Sequence, residues 1–380
     1  MIFARRERKL TMIEPFRPSV PPETIAELHA RLRATRWPLG VVDSGGMPLS
    51  DMREIVRYWL EDFDWPREEW EINRLPHFLA DAGGLRLHFI HARSPRPDAR
   101  PLLLLHGWPG SFVEMLPILL LLAESFHVVV PSLPGYGFSE APSAAGMSNA
   151  RIAELCAELM TLLGYDRFAA QGGDWGAGIA TWLAVKFPSR VAGIHLNYIP
   201  GSYAPYVEGE PSAEEAASLR ERDRWVQEDG AYGHVQRTRP LTLGYALSDS
   251  PAGLAAWIVE KFREWAGPRS AIPLDRILTN VTIYWATNTI ASSMRLYLES
   301  SRTPLRFGPG ERVPAPCGIA RFPHEAPFPP RSWIERAYDV VHWTDMPQGG
   351  HFAALEEPEA LAGDVARFLG GLDWTGNGHT

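Results

Sequence analysis

At 380 residues, with 45% apolar and 22% charged side chains, the chain is long enough for a large core plus an appended piece and too apolar to be disordered as a whole. Lys and Arg number 37 against 45 Asp and Glu, a formal charge of −8 with no dense basic stripe, which argues against nucleic acid or an anionic membrane as a partner. Cys156 and Cys317 are the only cysteines, too few for a disulfide framework or a four-ligand zinc site, and they fit a reducing compartment.

The opening MIFARRERKLTMIEPF is charged and has no apolar signal-peptide core, and the most leucine-rich stretch, Leu116 to Ala123, is far short of the ~20 apolar residues that span a bilayer. A soluble, cytoplasmic protein without a membrane anchor is expected. Residues 1–98 read as a preface to the main fold. In PPETIAELHARLRATRWP, Ile25, Leu28 and Leu32 share a helical face that stops by Pro38. A second helix is expected after Ser50 as N-cap, with Ile55 and Trp59 four apart, followed by a connection containing Trp65 and Trp70. The alternation of LRLHFIHAR puts Leu85, Leu87, Phe89 and His91 on one face and predicts an edge strand.

From Pro101 the pattern changes. PLLLLHGWPG, HVVVPSLPGYGFSE, DRFAAQGGDWG and RVAGIHLNYIP are short apolar runs ending in Gly/Pro loops, with helical stretches from Ser148 to Leu163 and Ala177 to Lys186 between them. Strands alternating with helices predict a mostly parallel sheet covered on both faces. Between residues 201 and 312 the alternation stops. This part is mostly helical, with Ser250-Pro251 opening a helix that bears Leu254, Trp257, Ile258, Phe262 and Trp265, and Pro211 to Ser218 read as a mobile loop. Strands resume at VPAPCGIARF and DVVHWTDM, and Ala360 to Gly371 closes the chain as a helix. The expected division is an N-terminal extension over 1–98 wrapping the core, a first core part over 99–200, a helical cap over 201–312 and a second core part over 313–380.

The chemistry concentrates at Gly172-Gly173-Asp174-Trp175-Gly176. A sharp strand-to-helix elbow needs small residues two before and two after its tip, as Gly172 and Gly176 are, and the tip residue here is an aspartate. A carboxylate is ionised at neutral pH and suits displacement at an sp³ carbon with formation of an ester. His351, in QGGHFAALEEP after the last strand, has the position of the histidine in an α/β-hydrolase, with an imidazole pKa near 6.5 suited to activating water. The acid partner expected after the preceding strand is Glu325 in FPHEAPFPP, with Asp339 and Asp345 as rivals. Two backbone N–H groups should form an oxyanion hole, those of Trp175 and of Trp108 in His106-Gly107-Trp108-Pro109-Gly110, with His106 orienting that loop. A proton donor for a leaving oxygen would be a lid tyrosine, and composition does not choose among Tyr232, Tyr245, Tyr284 and Tyr297.

Together HGWPGS, PSLPGYGFSE, GGDWG, GYALSDSPAGLAAWIVEKF, LTNVTIYWATNTIASSMRLY, FPHE and GGHFAALEEPE resemble the microsomal-type epoxide hydrolases, which include juvenile hormone epoxide hydrolases. FRPSVPPETIAELHARLRATRWP and WLEDFDWPREEWEINRLPHF resemble that family's N-terminal domain, so the resemblance spans nearly the whole chain. It implies an α/β-hydrolase fold with Asp174 as nucleophile, Glu325 as acid, His351 as base, and Tyr232 and Tyr297 as ring-opening acids. It implies a small apolar epoxide as substrate and no metal or organic cofactor; a homodimer is compatible with it. The membrane anchor of eukaryotic relatives has no counterpart in this sequence. The rival readings are a haloalkane dehalogenase, built on the same Asp and His, and a non-catalytic ligand-binding protein of the same fold. A serine esterase is disfavoured by the aspartate at the elbow.

Overall fold

The computed structural model describes residues 13–39, 45–199 and 210–375. Its elements in chain order begin with β1 (Ile13–Phe16), α1 (Pro22–Arg33), α2 (Leu49–Glu61), α3 (Trp65–Ile72), β2 (His77–Ala82) and β3 (Leu85–Ala92). Then come β4 (Arg100–Leu105), α4 (Leu116–Leu122), β5 (Phe126–Pro131), α5 (Asn149–Leu162), β6 (Phe168–Gly172), α6 (Asp174–Lys186) and β7 (Val191–Leu196). Among the described residues, six helices then follow without a strand: α7 (Ala213–Glu228), α8 (Ala231–Thr238), α9 (Pro240–Asp249), α10 (Pro251–Trp265), α11 (Leu274–Ala286) and α12 (Ile290–Ser301). The chain finishes with β8 (Pro316–Arg321), α13 (Arg331–Ile334), β9 (Asp339–Asp345), α14 (Ala353–Glu356) and α15 (Pro358–Gly370).

The nine strands form one sheet in the order β1-β2-β3-β5-β4-β6-β7-β8-β9. From β5 to β9 every pairing is parallel, and β1, β2 and β3 extend the sheet antiparallel beyond β5. The parallel strands β4 to β8 are largely buried on both faces, β7 completely so, which is why they read as apolar runs rather than as alternation, whereas β9 at the edge is not buried. This is an α/β-hydrolase fold. Its lid leaves the sheet after β7 and returns at β8, and lid residues share a cavity with Asp174 at the end of β6. Among the described residues, no helix is long and apolar enough to cross a membrane.

The preface departs from its sequence reading in three places. LRLHFIHAR is an interior strand rather than an edge, because β2 pairs on its outer side and β1 caps β2. The missed signal is Gly83-Gly84, both at positive φ (57 and 82), which joins β2 to β3 as a two-residue hairpin of the primed type. The segment with Trp65 and Trp70 is helix α3, started by the Asp64 carboxylate accepting the Arg67 N–H at 3.2 Å. Ser50 is not the N-cap of α2: the helix begins at Leu49 after Pro48, whose fixed φ holds the chain extended there, and Ser50 Oγ bonds Asp51 instead. In the lid, most of Pro211 to Ser218 is the first turns of α7 rather than a loop. Ser212 and Glu215 form a reciprocal capping box, and Glu215 also pairs with Arg336. Ser250 does cap α10, accepting the Gly253 N–H at 3.0 Å.

Candidate active site

The turn from β6 into α6 fixes its residue types by contact. A Cβ on Gly172 would land on the Gly176 backbone, and one on Gly176 would land on the Leu105 carbonyl of neighbouring β4. Asp174 has φ 44, in the left-handed region that side chains avoid, so the elbow presents its carboxylate at some backbone strain. The side chain is 18% exposed and lines a cavity of about 310 Å³.

The loop after β4 comes up against this carboxylate. A Cβ on Gly107 would overlap Asp174 Oδ1, so glycine is what permits the approach. Oδ1 accepts the Trp108 backbone N–H at 2.8 Å, and the Trp175 backbone N–H also bonds the carboxylate. His106 ties the loop from behind: Nδ1–H donates to Gly107 O at 3.1 Å while Nε2 accepts the Leu133 N–H at 3.1 Å. Burial pushes its pKa down to about 4, so it is a neutral strut. From the lid, Asn280 donates to the Pro109 carbonyl at 2.7 Å and the Tyr284 hydroxyl to the Gly110 carbonyl at 2.8 Å. Trp108-Pro109 is a cis peptide.

His351, in the loop after β9, faces Asp174. Its Nε2 is 3.6 Å from Asp174 Oδ2, and its Nδ1 is 2.8 Å from Glu325 Oε1. The second contact makes Nδ1 the donor and leaves Nε2 for the cavity side. The backbone before it bends at Gly349 (φ 99), and a Cβ on Gly350 would crowd the Trp265 carbonyl, which accepts the His351 N–H at 3.0 Å. Burial by itself would lower the imidazole pKa. The charge and hydrogen bond of Glu325, with the charge of Asp174, override that and raise it to about 9. Burial raises Asp174 above the usual carboxylate range, against the pull of His351 and the two N–H donors. The rivals of Glu325 are elsewhere: Asp345 pairs with Arg321 at 3.3 Å and Asp339 is exposed at the start of β9.

Of the four candidate lid tyrosines, two line the cavity with Asp174. Tyr232 of α8 and Tyr297 of α12 hydrogen-bond each other, with ring centroids 6.0 Å apart. Tyr232 stacks on Trp108 at 5.4 Å and Tyr297 stands edge-on to Trp175 at 4.6 Å, so each phenol rests on an indole whose backbone N–H serves the carboxylate. Burial raises both phenols well above their usual range, followed for Tyr232 by the Asp174 charge and for Tyr297 by Tyr232 and then Asp174, which keeps them protonated donors. Tyr284 is committed to Gly110, and Tyr245 is 72% exposed on the surface. Sequence reasoning did not single out the support behind Tyr232. Lys261, buried, lies 2.7 Å from Asp229 and 5.0 Å over the Tyr232 ring, while Asp229 also accepts the Trp265 indole N–H at 2.6 Å. An EKF run in a helix carries no signal of this, because the partners come from another helix.

The fold and this arrangement of elbow, loop and late histidine define an α/β-hydrolase, and residues 100–290 match the family described as alpha/beta hydrolase fold. Residues 13–115 match the family described as epoxide hydrolase N terminus. Epoxide hydrolase 1 of Sus scrofa is 36% identical over 95% of this chain and 89% of its own length. The structure of Aspergillus niger epoxide hydrolase superposes with a TM-score of 0.86 at 34% identity, covering 94% of this chain and 96% of that one. Juvenile hormone epoxide hydrolase from the silkworm Bombyx mori superposes with a TM-score of 0.84 at 31% identity, covering 94% of each chain. The chain belongs to the microsomal-type epoxide hydrolase family.

Proposed function

We propose that the chain hydrolyses an epoxide to a vicinal diol through a covalent ester on Asp174. The observation that carries this reading is one carboxylate set between two backbone N–H donors, an imidazole and a pair of buried phenols. The Trp108 N–H occupies Oδ1, which leaves Oδ2 to attack a ring carbon from the cavity. As the new C–O bond forms, the ring C–O bond breaks, and its oxygen takes a proton from Tyr232 or Tyr297. Asp174 is then a neutral ester whose carbonyl oxygen already lies in the oxyanion hole. Water attacks the carbonyl carbon and gives its proton to His351, held by Glu325. The tetrahedral intermediate collapses by breaking the bond between the acyl carbon and the alkoxy oxygen. The diol leaves with one proton returned to it, and the tyrosine is reprotonated.

A haloalkane dehalogenase would share the first attack but has no use for two phenols over the carboxylate, and assaying halide release beside diol formation separates the two. The two-step scheme is tested by a single turnover in heavy-oxygen water. The first diol should be unlabelled, because its new oxygen comes from Asp174, and the label should appear in the Asp174 carboxylate. A labelled first diol would mean direct attack by water.

A further inference from the structure

The cavity has two chemically different ends. Asp174 and the phenols form one. Five residues beyond Tyr232 on α8 lies Arg237, and beyond Tyr297 on α12 lie Ser300 and Ser301, all lining the same cavity. A rise of 1.5 Å per residue sets Arg237 about 7.5 Å along the helix axis from Tyr232. Asn149, the first residue of α5, lines this wall too. It is 6% exposed, its Oδ1 has no hydrogen-bond partner among the described residues, and its backbone N–H bonds Ser300 Oγ at 3.1 Å. A buried amide oxygen left unpaired is destabilising, and turning the amide about its last torsion exchanges acceptor for donor at constant shape.

The charges point the same way. Among the described residues lining the cavity, Asp174 and Arg237 alone are charged. Arg237 contacts His234 Nδ1 at 3.0 Å, and no carboxylate among the described residues pairs with it. The N-terminus of α5 adds partial positive charge beside Asn149. An anion is thus drawn to the Arg237 end and repelled by Asp174, which orients any molecule carrying both an anionic group and a reactive ring. Trp175, Trp225 and Val226 supply apolar wall.

We propose that Arg237 and Asn149 form a carboxylate subsite, and that the chain prefers epoxides bearing an anionic head group several bonds from the ring. This rests on the epoxide hydrolase reading above. The test compares kcat/KM for a medium-chain ω-epoxy carboxylate, its methyl ester and the epoxyalkane of equal length. The wild type should favour the carboxylate over the ester by ~10-fold or more, mainly through KM, as one charge-assisted pair of ~1.4 kcal/mol gives. That ratio should collapse towards one in Arg237→Gln, shrink in Asn149→Ala, and be largely restored in Arg237→Lys. Diol formation from the ester reports that each variant is folded. Turnover of all three probes without preference, or a ratio unchanged in Arg237→Gln, overturns the subsite while leaving the hydrolase reading intact. No diol from any of the three overturns the reading beneath it and the subsite with it.

Discussion

Asp174 and His351, 3.6 Å apart, favour each other's charged forms, and alkylation would remove half of that arrangement midway through turnover. Once Asp174 is an ester, its charge no longer holds the imidazole up, so the His351 pKa falls from about 9 and the ring can take a proton from water. The resting ion pair and the later base are the same residue in two electrostatic settings. Glu325 remains the main support in both. Glu325→Gln should therefore lower the His351 pKa in the free enzyme, followed by NMR titration, and slow ester hydrolysis by ~100-fold while alkylation falls less. An unmoved imidazole titration would remove Glu325 from the account. Gly107 offers a steric test: Gly107→Ala puts a methyl group on Asp174 Oδ1, so alkylation should drop by ~100-fold with little change in Tm. These residues were legible in the sequence because an elbow and a tight loop impose glycine at fixed spacing. The two tyrosines were not separable from Tyr245 and Tyr284 by residue type, and only the family resemblance distinguished them.

At the scale of elements, the central parallel strands could be read because burial on both faces makes them largely apolar. The preface was harder. Strand β1 has only four residues and β2 contains Asp81, so alternation there is weak and the hairpin glycines are the better guide. Helix α7 was hidden by its polar composition. It is organised by a terminal motif rather than by a strong apolar face, and it places Trp225 and Val226 on the cavity wall. Ser212→Ala should cost about 1 kcal/mol locally and raise amide exchange through the first turns of α7 more than in α6. Equal exchange in both helices would show that the capping box does not hold the lid's entry.

Across the whole molecule, stability should depend on pH from two sides. His88 is held well below its ordinary pKa by burial, as are His91 and His106, both lowered from 6.5 to about 4. In that window the unfolded chain binds protons that the folded chain refuses, so stability falls as pH drops from 6.5 towards 4. His351 acts in the opposite sense: its contribution is complete below 6.5 and is lost as pH rises through about 9. Tm profiles should show the acid decline in both wild type and His351→Gln, and a shallower alkaline decline in the variant. Identical alkaline limbs would contradict the raised imidazole. What the sequence could not convey at this scale is convergence. Tyr232, Trp265 and Lys261 lie on separate turns of two lid helices, and only the folded lid brings them over the carboxylate.

The most direct measurement is the mass of His351→Gln protein after mixing with an epoxide it can alkylate but not release. An increase equal to one substrate molecule, mapped to the peptide containing Asp174 and absent in Asp174→Asn, is the predicted result. No adduct, or one mapped to another residue while the wild type forms diol, would contradict the account.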